Sequence, residues 1–272
     1  MIASITAIEA ASWHTPLVLR GHFSQTIETA ARLGYAGIEL HLKDASALDQ
    51  PALARALKQH GIRLTSIGTG PSYSQDGIFL THDDPQVRRA AMARMASHIR
   101  LAAAHGAVVI IGLIKGQRRD VSDPGAYDGR LDEAMRTLIP MAEGAGVKLV
   151  FEVIDRFESD WLNTVSEGLA FLDRYGSPAH ALHLDTFHMN IEEASLEGAI
   201  HAAAGRIGHV HVADSDRWYP SHAHYDFAGT FRALHQVGYD GAVALESFLY
   251  PDPETAARKS LACLRDMMET AP

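Results

Sequence analysis

Eight times along the chain a short apolar run, often β-branched, gives way to a longer amphipathic stretch. The runs fall at residues 2–7, 36–40, 62–67, 107–111, 147–151, 180–184, Ile207–Val212 and Ala242–Leu245. Apolar residues at helical spacing follow each of them, at 24–34, 51–60, 84–105, 131–143, 164–175, 193–204, 227–237 and 253–268. Ser24 is of the type that caps a helix start, and Gly34, Gly61, Gly146 and Gly238 stand where a helix stops and the next strand begins. Strand and helix signals in strict alternation predict a parallel sheet covered by helices. Eight such units in one series predict closure into an α/β architecture, the (β/α)8 TIM barrel. A length of 272 residues suits one barrel, so the expected unit is a single catalytic domain over 1–272. An open doubly wound sheet would want a Gly-rich turn after its first strand, and residues 7–16 carry none.

Composition narrows the partners. The net charge of −9 repels phosphate backbones, and the densest basic spot, Lys115, Arg118 and Arg119, is too short for a nucleic-acid surface. No window is long and apolar enough to span a bilayer, and the first residues lack the basic and apolar regions of a signal peptide. The expectation is a soluble cytoplasmic protein with neither nucleic acid nor membrane as partner. The lone Cys263 allows no internal disulfide and is expected as a buried small hydrophobe.

In a closed parallel barrel the chemistry gathers at the carboxyl ends of the strands. The fifth run ends at Glu152, the sixth at Asp185, the seventh at His211 and the eighth at Glu246. Four consecutive strands thus bring metal-type ligands to one rim. Three carboxylates together are costly without a cation, and an oxygen-rich set with one imidazole suits Mn²⁺, Co²⁺ or Mg²⁺. His183 and His209, two residues before Asp185 and His211, share their strand faces and are expected as hydrogen-bonding residues inside the barrel. His188 and Arg217 lie on the loops just beyond. A metal flanked by glutamates suits proton transfer beside a ketone. The ion polarises the carbonyl and stabilises the enediolate, one glutamate acts as base and the other as acid. Return of the proton to the opposite face is epimerisation, and its transfer to the next carbon is isomerisation. Ligand types alone leave both open.

These residues resemble the xylose-isomerase-like barrel sugar epimerases, the family of tagatose and psicose 3-epimerases. Glu152-Val153-Ile154-Asp155-Arg156-Phe157-Glu158, followed by Leu162-Asn163-Thr164, is similar to the family's E-P-L-N-R-[FY]-E…N-T segment. Asp185-Thr186-Phe187-His188-Met189-Asn190-Ile191-Glu192-Glu193 resembles its D-T-F-H-M-N-I-E-E segment almost letter for letter. His209-Val210-His211 with Ser215-Asp216-Arg217, and Ala244-Leu245-Glu246-Ser247-Phe248, resemble its last two strand ends. Ile67-Gly68-Thr69-Gly70, Asp76-Gly77, Leu80-Thr81-His82 and Val212-Ala213-Asp214-Ser215 look more closely like the 5-keto-L-gluconate epimerase type, which interconverts 5-keto-L-gluconate and D-tagaturonate.

The resemblance implies a divalent metal on Glu152, Asp185, His211 and Glu246. It implies proton exchange by Glu152 and Glu246 from opposite faces, and substrate oxygens held by Glu158, His188 and Arg217. It also implies a small-molecule ketose or keto sugar acid as substrate and a homodimer or homotetramer. Other reactions on the same metal site are isomerisation, inosose-type dehydration and keto-sugar cleavage. Asp155 stands where the family has Asn and adds a negative charge near the site. For a substrate carboxylate, Lys115, Arg118 and Arg119 are the candidate cations, and Trp13 and His14 are candidates for a pocket wall.

Overall fold

The computed structural model describes residues 1–270, so residues 271–272 of the expected domain lie outside it. Its strands are β1 (Ile2–Ile8), β2 (Leu19–Arg20), β3 (Gly37–His41), β4 (Arg63–Gly68), β5 (Val108–Ile111), β6 (Leu149–Glu152), β7 (His180–Asp185), β8 (Ile207–Val212) and β9 (Ala242–Leu245). All pairings are parallel, each strand from β3 to β9 bonds to the next, and β1 pairs with both β3 and β9, which closes an eight-stranded barrel. The short β2 only extends the end of β1, at Ala7 and Ile8.

Strand side chains alternate, and the alternation creates two interiors. Ile5, Ile38, Val109, Leu149, Phe151, Leu182, Val243 and Leu245 are fully buried in the large apolar cluster that includes the helices. Inside the barrel, Ile110, Val150 and Ala181 form a small separate cluster. Other inner positions are polar yet buried, among them Ser4, Thr6, Glu39, Ser66, His183 and His209. Such a polar lining is tolerated only where its groups find partners.

Helix limits differ from the sequence reading in instructive places. The first helix spans Phe23–Leu33, and its cap is His22, whose ring accepts from Ser24 N, so Ser24 lies inside the helix. The helix read over 193–204 is confined to Leu196–Ala202, behind the Ser195 cap, and a separate helix, Thr186–Glu192, capped by Asp185 and absent from the sequence reading, precedes it. The helix read at 131–143 begins at Pro124, behind the Asp123 cap. Helix Gly70–Asp76, absent from the sequence reading, follows β4 and ends at Gly77 in the left-handed conformation. The four expected stop glycines all have positive φ, between 65° and 94°. Cys263 is half-buried beside Ser221 Oγ rather than fully enclosed. No helix of the described residues is long and apolar enough to cross a membrane.

Candidate active site

β6 to β9 deliver the four expected residues to one place. Glu152, Asp185, His211 and Glu246 each offer one ligand atom, and these atoms lie within 4.8 Å of one another. Local structure divides the work within each side chain. Asp185 Oδ1 accepts from Phe187 N at 2.7 Å and so starts the helix after β7. Its Oδ2 is buried and makes no hydrogen bond, and it faces His211 Nδ1, also unpartnered, at 3.8 Å. Glu246 Oε2 lies 3.6 Å from the same nitrogen. Buried polar atoms are nearly always bonded, so two orphaned atoms converging among three carboxylates fit a bound cation.

The electrostatics point the same way. Loss of bulk water and the facing Glu246 push the Glu152 carboxyl up to about 7. Burial also opposes charge on Glu246, but His211 and Arg217 outweigh it and hold that carboxyl down at about 2. Without a cation, then, the pair tends to keep one proton between them. A dication among these oxygens relieves that repulsion.

Around the ligands stands a ring of mutually anchored groups. His188 Nδ1 donates to Asp155 Oδ2 at 2.6 Å, which turns Nε2 toward the ligand cluster, 3.9 Å from Asp185 Oδ2. Asp155 Oδ1 accepts from Phe157 N and Glu158 N. The extra charge of Asp155 is therefore met by an imidazole and two amides, and the same bonds shape the turn that carries Glu158. Arg217 donates from Nη1 to Glu158 Oε1 and from Nη2 to Glu246 Oε2 at 3.2 Å. Its backbone sits at φ 61°, a strained choice for a non-glycine residue, and its guanidinium lies over Phe187. Gly112 leaves room for Glu152, since a Cβ there would collide with Oε2.

These groups border a cavity of about 460 Å³ at the barrel mouth. Its lining includes Glu152, Glu158, His188, His211, Arg217 and Glu246 together with His14, Thr15, His41, Ser74 and Gln75. His14, a candidate for the pocket wall, lines this cavity. Trp13 is 61% exposed, lies against Arg20, and is outside the cavity lining. The expected carboxylate-binding cations are not brought to the cavity. Lys115 is fully buried because the turn Leu113–Lys115 folds it inward, where Nζ donates to Gly112 O. Burial lowers its ammonium to about 8 against the attraction of Glu152 and Asp160. Arg118 pairs with Asp128 and borders a different cleft, and Arg119 donates to Glu158 O.

The inner histidines divide. His209 bonds Glu39 as expected of a barrel-lining residue, whereas neither ring nitrogen of the buried His183 has a partner within the protein. Glu39 and His41 escaped the sequence reading. The available signal was a lone Glu in an apolar strand, two residues before a strand-end His and so on its face.

Comparison with known proteins adds lineage to this geometry. Residues 27–267 match the family described as xylose isomerase-like TIM barrel. The chain is 34% identical to L-ribulose 3-epimerase of Methylomonas sp. over 228 residues, covering 82% of this chain and 78% of that one. It is 33% identical to D-psicose 3-epimerase of Agrobacterium fabrum, covering 84% and 80%. The crystal structure of a D-allulose 3-epimerase from Methylomonas sp. superposes with a TM-score of 0.83, covering 98% of each chain at 27% identity.

Proposed function

The chain belongs to the xylose isomerase-like TIM-barrel family, and from that premise we propose that it is a metal-dependent ketose 3-epimerase, a single catalytic domain that inverts the carbinol carbon next to the ketone of a neutral sugar. The observation that carries the reading is the convergence of Glu152, Asp185, His211 and Glu246, with Asp185 Oδ2 and His211 Nδ1 unpartnered between them. The relatives named above are sugar epimerases, isomerases of carbohydrates.

The oxygen-rich set with one imidazole suits Mn²⁺, Co²⁺ or Mg²⁺. Bound there, the ion supplies a Lewis acid for the ketone and a counter-charge as the neighbouring proton leaves. The rest is done by side chains. Glu152 ends β6 and Glu246 stands just past β9, so the two reach the mouth from strands separated by β7 and β8. One removes the proton from the carbinol carbon and the other returns one to the opposite face, with the roles exchanged in the reverse direction. Arg217 holds Glu246 and Glu158 in register, and His188, its tautomer set by Asp155, presents Nε2 to a substrate oxygen.

Neutral sugars fit this cavity better than sugar acids. Among the described residues that line it, Arg217 is the lone Arg or Lys, and both its terminal nitrogens are engaged by Glu158 and Glu246. A substrate carboxylate meets no other guanidinium or ammonium there, and of Arg217 only Nε lacks a partner. The test is proton NMR in D₂O with Mn²⁺ and separate tubes of L-ribulose, D-psicose, D-tagatose and 5-keto-L-gluconate. Deuterium at C3 of a neutral ketose, with its C3 epimer accumulating, is expected. Turnover of 5-keto-L-gluconate alone would replace the neutral substrate with an acid. Exchange without an epimer, or an aldose, dehydrated or cleaved product, would move the reading to another reaction on the site.

Arg217→Lys keeps the charge and loses the fork that spans two carboxylates. The expected result is a fall in kcat/KM of up to about 100-fold, since small misplacements of catalytic groups cost that much, with Mn²⁺ binding preserved. Kinetics within about twofold of the parent would remove Arg217 from the positioning role.

A further inference from the structure

The deepest carboxylate in the barrel belongs to none of the roles above. Glu39, in the middle of β3, is fully buried. A buried carboxylate is stable only when its acceptor sites are filled, about four for an ionised group. Those of Glu39 are all used. Oε1 accepts from His41 Nε2 at 2.6 Å and from His211 Nε2 at 2.9 Å. Oε2 accepts from Ser66 Oγ at 2.5 Å and His209 Nε2 at 2.7 Å, and lies 3.1 Å from His211 Nε2.

A carboxylate in this state only accepts. Each of the three imidazoles must therefore bring a hydrogen on Nε2, and a neutral ring then carries its lone pair on Nδ1. For His211 that lone pair lies 3.8 Å from Asp185 Oδ2 and 3.6 Å from Glu246 Oε2, among the other ligands. Metal-binding histidines commonly have the far nitrogen anchored on a carboxylate, which fixes the tautomer and ring plane. The cage is tight elsewhere too. The His183 ring meets His211 edge-on at 4.1 Å, and a Cβ on Gly68 would come within 2.5 Å of the His41 ring. His41 in turn borders the sugar cavity.

We propose that Glu39 is a positioning residue of the metal centre: it holds His211 with Nδ1 toward Glu152, Asp185 and Glu246, and through His41 it fastens the cavity wall to the same carboxylate. The proposal rests on the metal reading of the site.

Glu39→Gln keeps size and shape but removes the negative charge and replaces one of two acceptor oxygens with an NH₂ that faces imidazole N–H groups, so the His211 anchor is weakened. Mn²⁺ is titrated into metal-free wild type and variant by calorimetry, and Co²⁺-saturated samples of each are compared by visible absorption. We expect one Mn²⁺ per wild-type chain, 10- to 100-fold weaker binding in the variant, and a changed Co²⁺ band at full occupancy. A folded variant with Mn²⁺ affinity within about threefold and an unchanged Co²⁺ band overturns the proposal, because a merely structural residue would lower the unfolding temperature and leave both alone. Absence of stoichiometric Mn²⁺ binding by wild type overturns the metal reading itself. If the variant does not fold, ¹⁵N-histidine NMR of Mg²⁺-loaded wild type decides: ligation through Nδ1 with an exchange-protected Nε2–H supports the assignment, and ligation through Nε2 overturns it.

Discussion

Glu246→Gln is expected to lose epimerisation by at least about 10⁴-fold, combining the 10²–10⁴ typical of a missing acid–base group with a weakened metal site. The amide is nearly isosteric, so the cavity keeps its shape and Arg217 Nη2 keeps an oxygen to bond. What disappears is the charge beside His211 and the capacity to carry a proton. Glu152→Gln should fall as far, yet the two variants are not equivalent. Each retains one glutamate, so with excess Mn²⁺ in D₂O each should slowly exchange the α-proton of one epimer with retention, and the favoured epimer should differ between them. Activity of Glu246→Gln within tenfold of the parent would end the two-glutamate mechanism, and the same epimer exchanging in both variants would end its opposite-face geometry.

Removal of divalent metal by a chelator should abolish turnover and also lower stability, and the second effect is the more diagnostic. Asp185 Oδ2 and His211 Nδ1 are buried without partners, and Glu152 and Glu246 repel each other beside them. An ion that binds the folded chain alone adds about 4 kcal/mol at a thousandfold excess over Kd. For a chain of this size that raises the unfolding midpoint by roughly 8–16 °C, at about 2–4 °C per kcal/mol. Differential scanning fluorimetry with and without Mn²⁺ measures it, and Asp185→Asn should blunt the rise. An unchanged midpoint on adding Mn²⁺ would mean these atoms do not hold a metal.

The barrel was legible in the sequence because its signals are local. Apolar runs alternate with helical spacing, and glycines mark the helix stops. The convergence of Glu152, Asp185, His211 and Glu246 was legible for a related reason, since a charged residue at the end of an apolar strand has one place to go in a closed barrel. What escaped depended on contacts distant in sequence. Glu39 looks misplaced among Gly37, Ile38 and Leu40 until Ser66, His209 and His211 arrive from other strands to fill its acceptors. Lys115 follows a strand as a rim cation should, and a single 3₁₀ turn carries it under the loop. Asp155 looked like surplus charge because its partner, His188, comes from the far side of β7.

The strands that carry the candidate ligands, β6 to β9, are consecutive in the chain as well as in the sheet, and much of the remaining cavity lining comes from segments before residue 114. The molecule is in that sense modular. On the proposed function, the carboxyl-terminal half holds what moves the proton, and the amino-terminal half holds much of what decides which sugar is admitted. Loops grafted after β1 or β4 can therefore alter selectivity with the proton-handling half intact. Among the links between the halves, Glu39 is the one that reaches from β3 to His211 on β8, so a graft that keeps Glu39, Ser66 and Gly68 preserves that contact and one that replaces them does not.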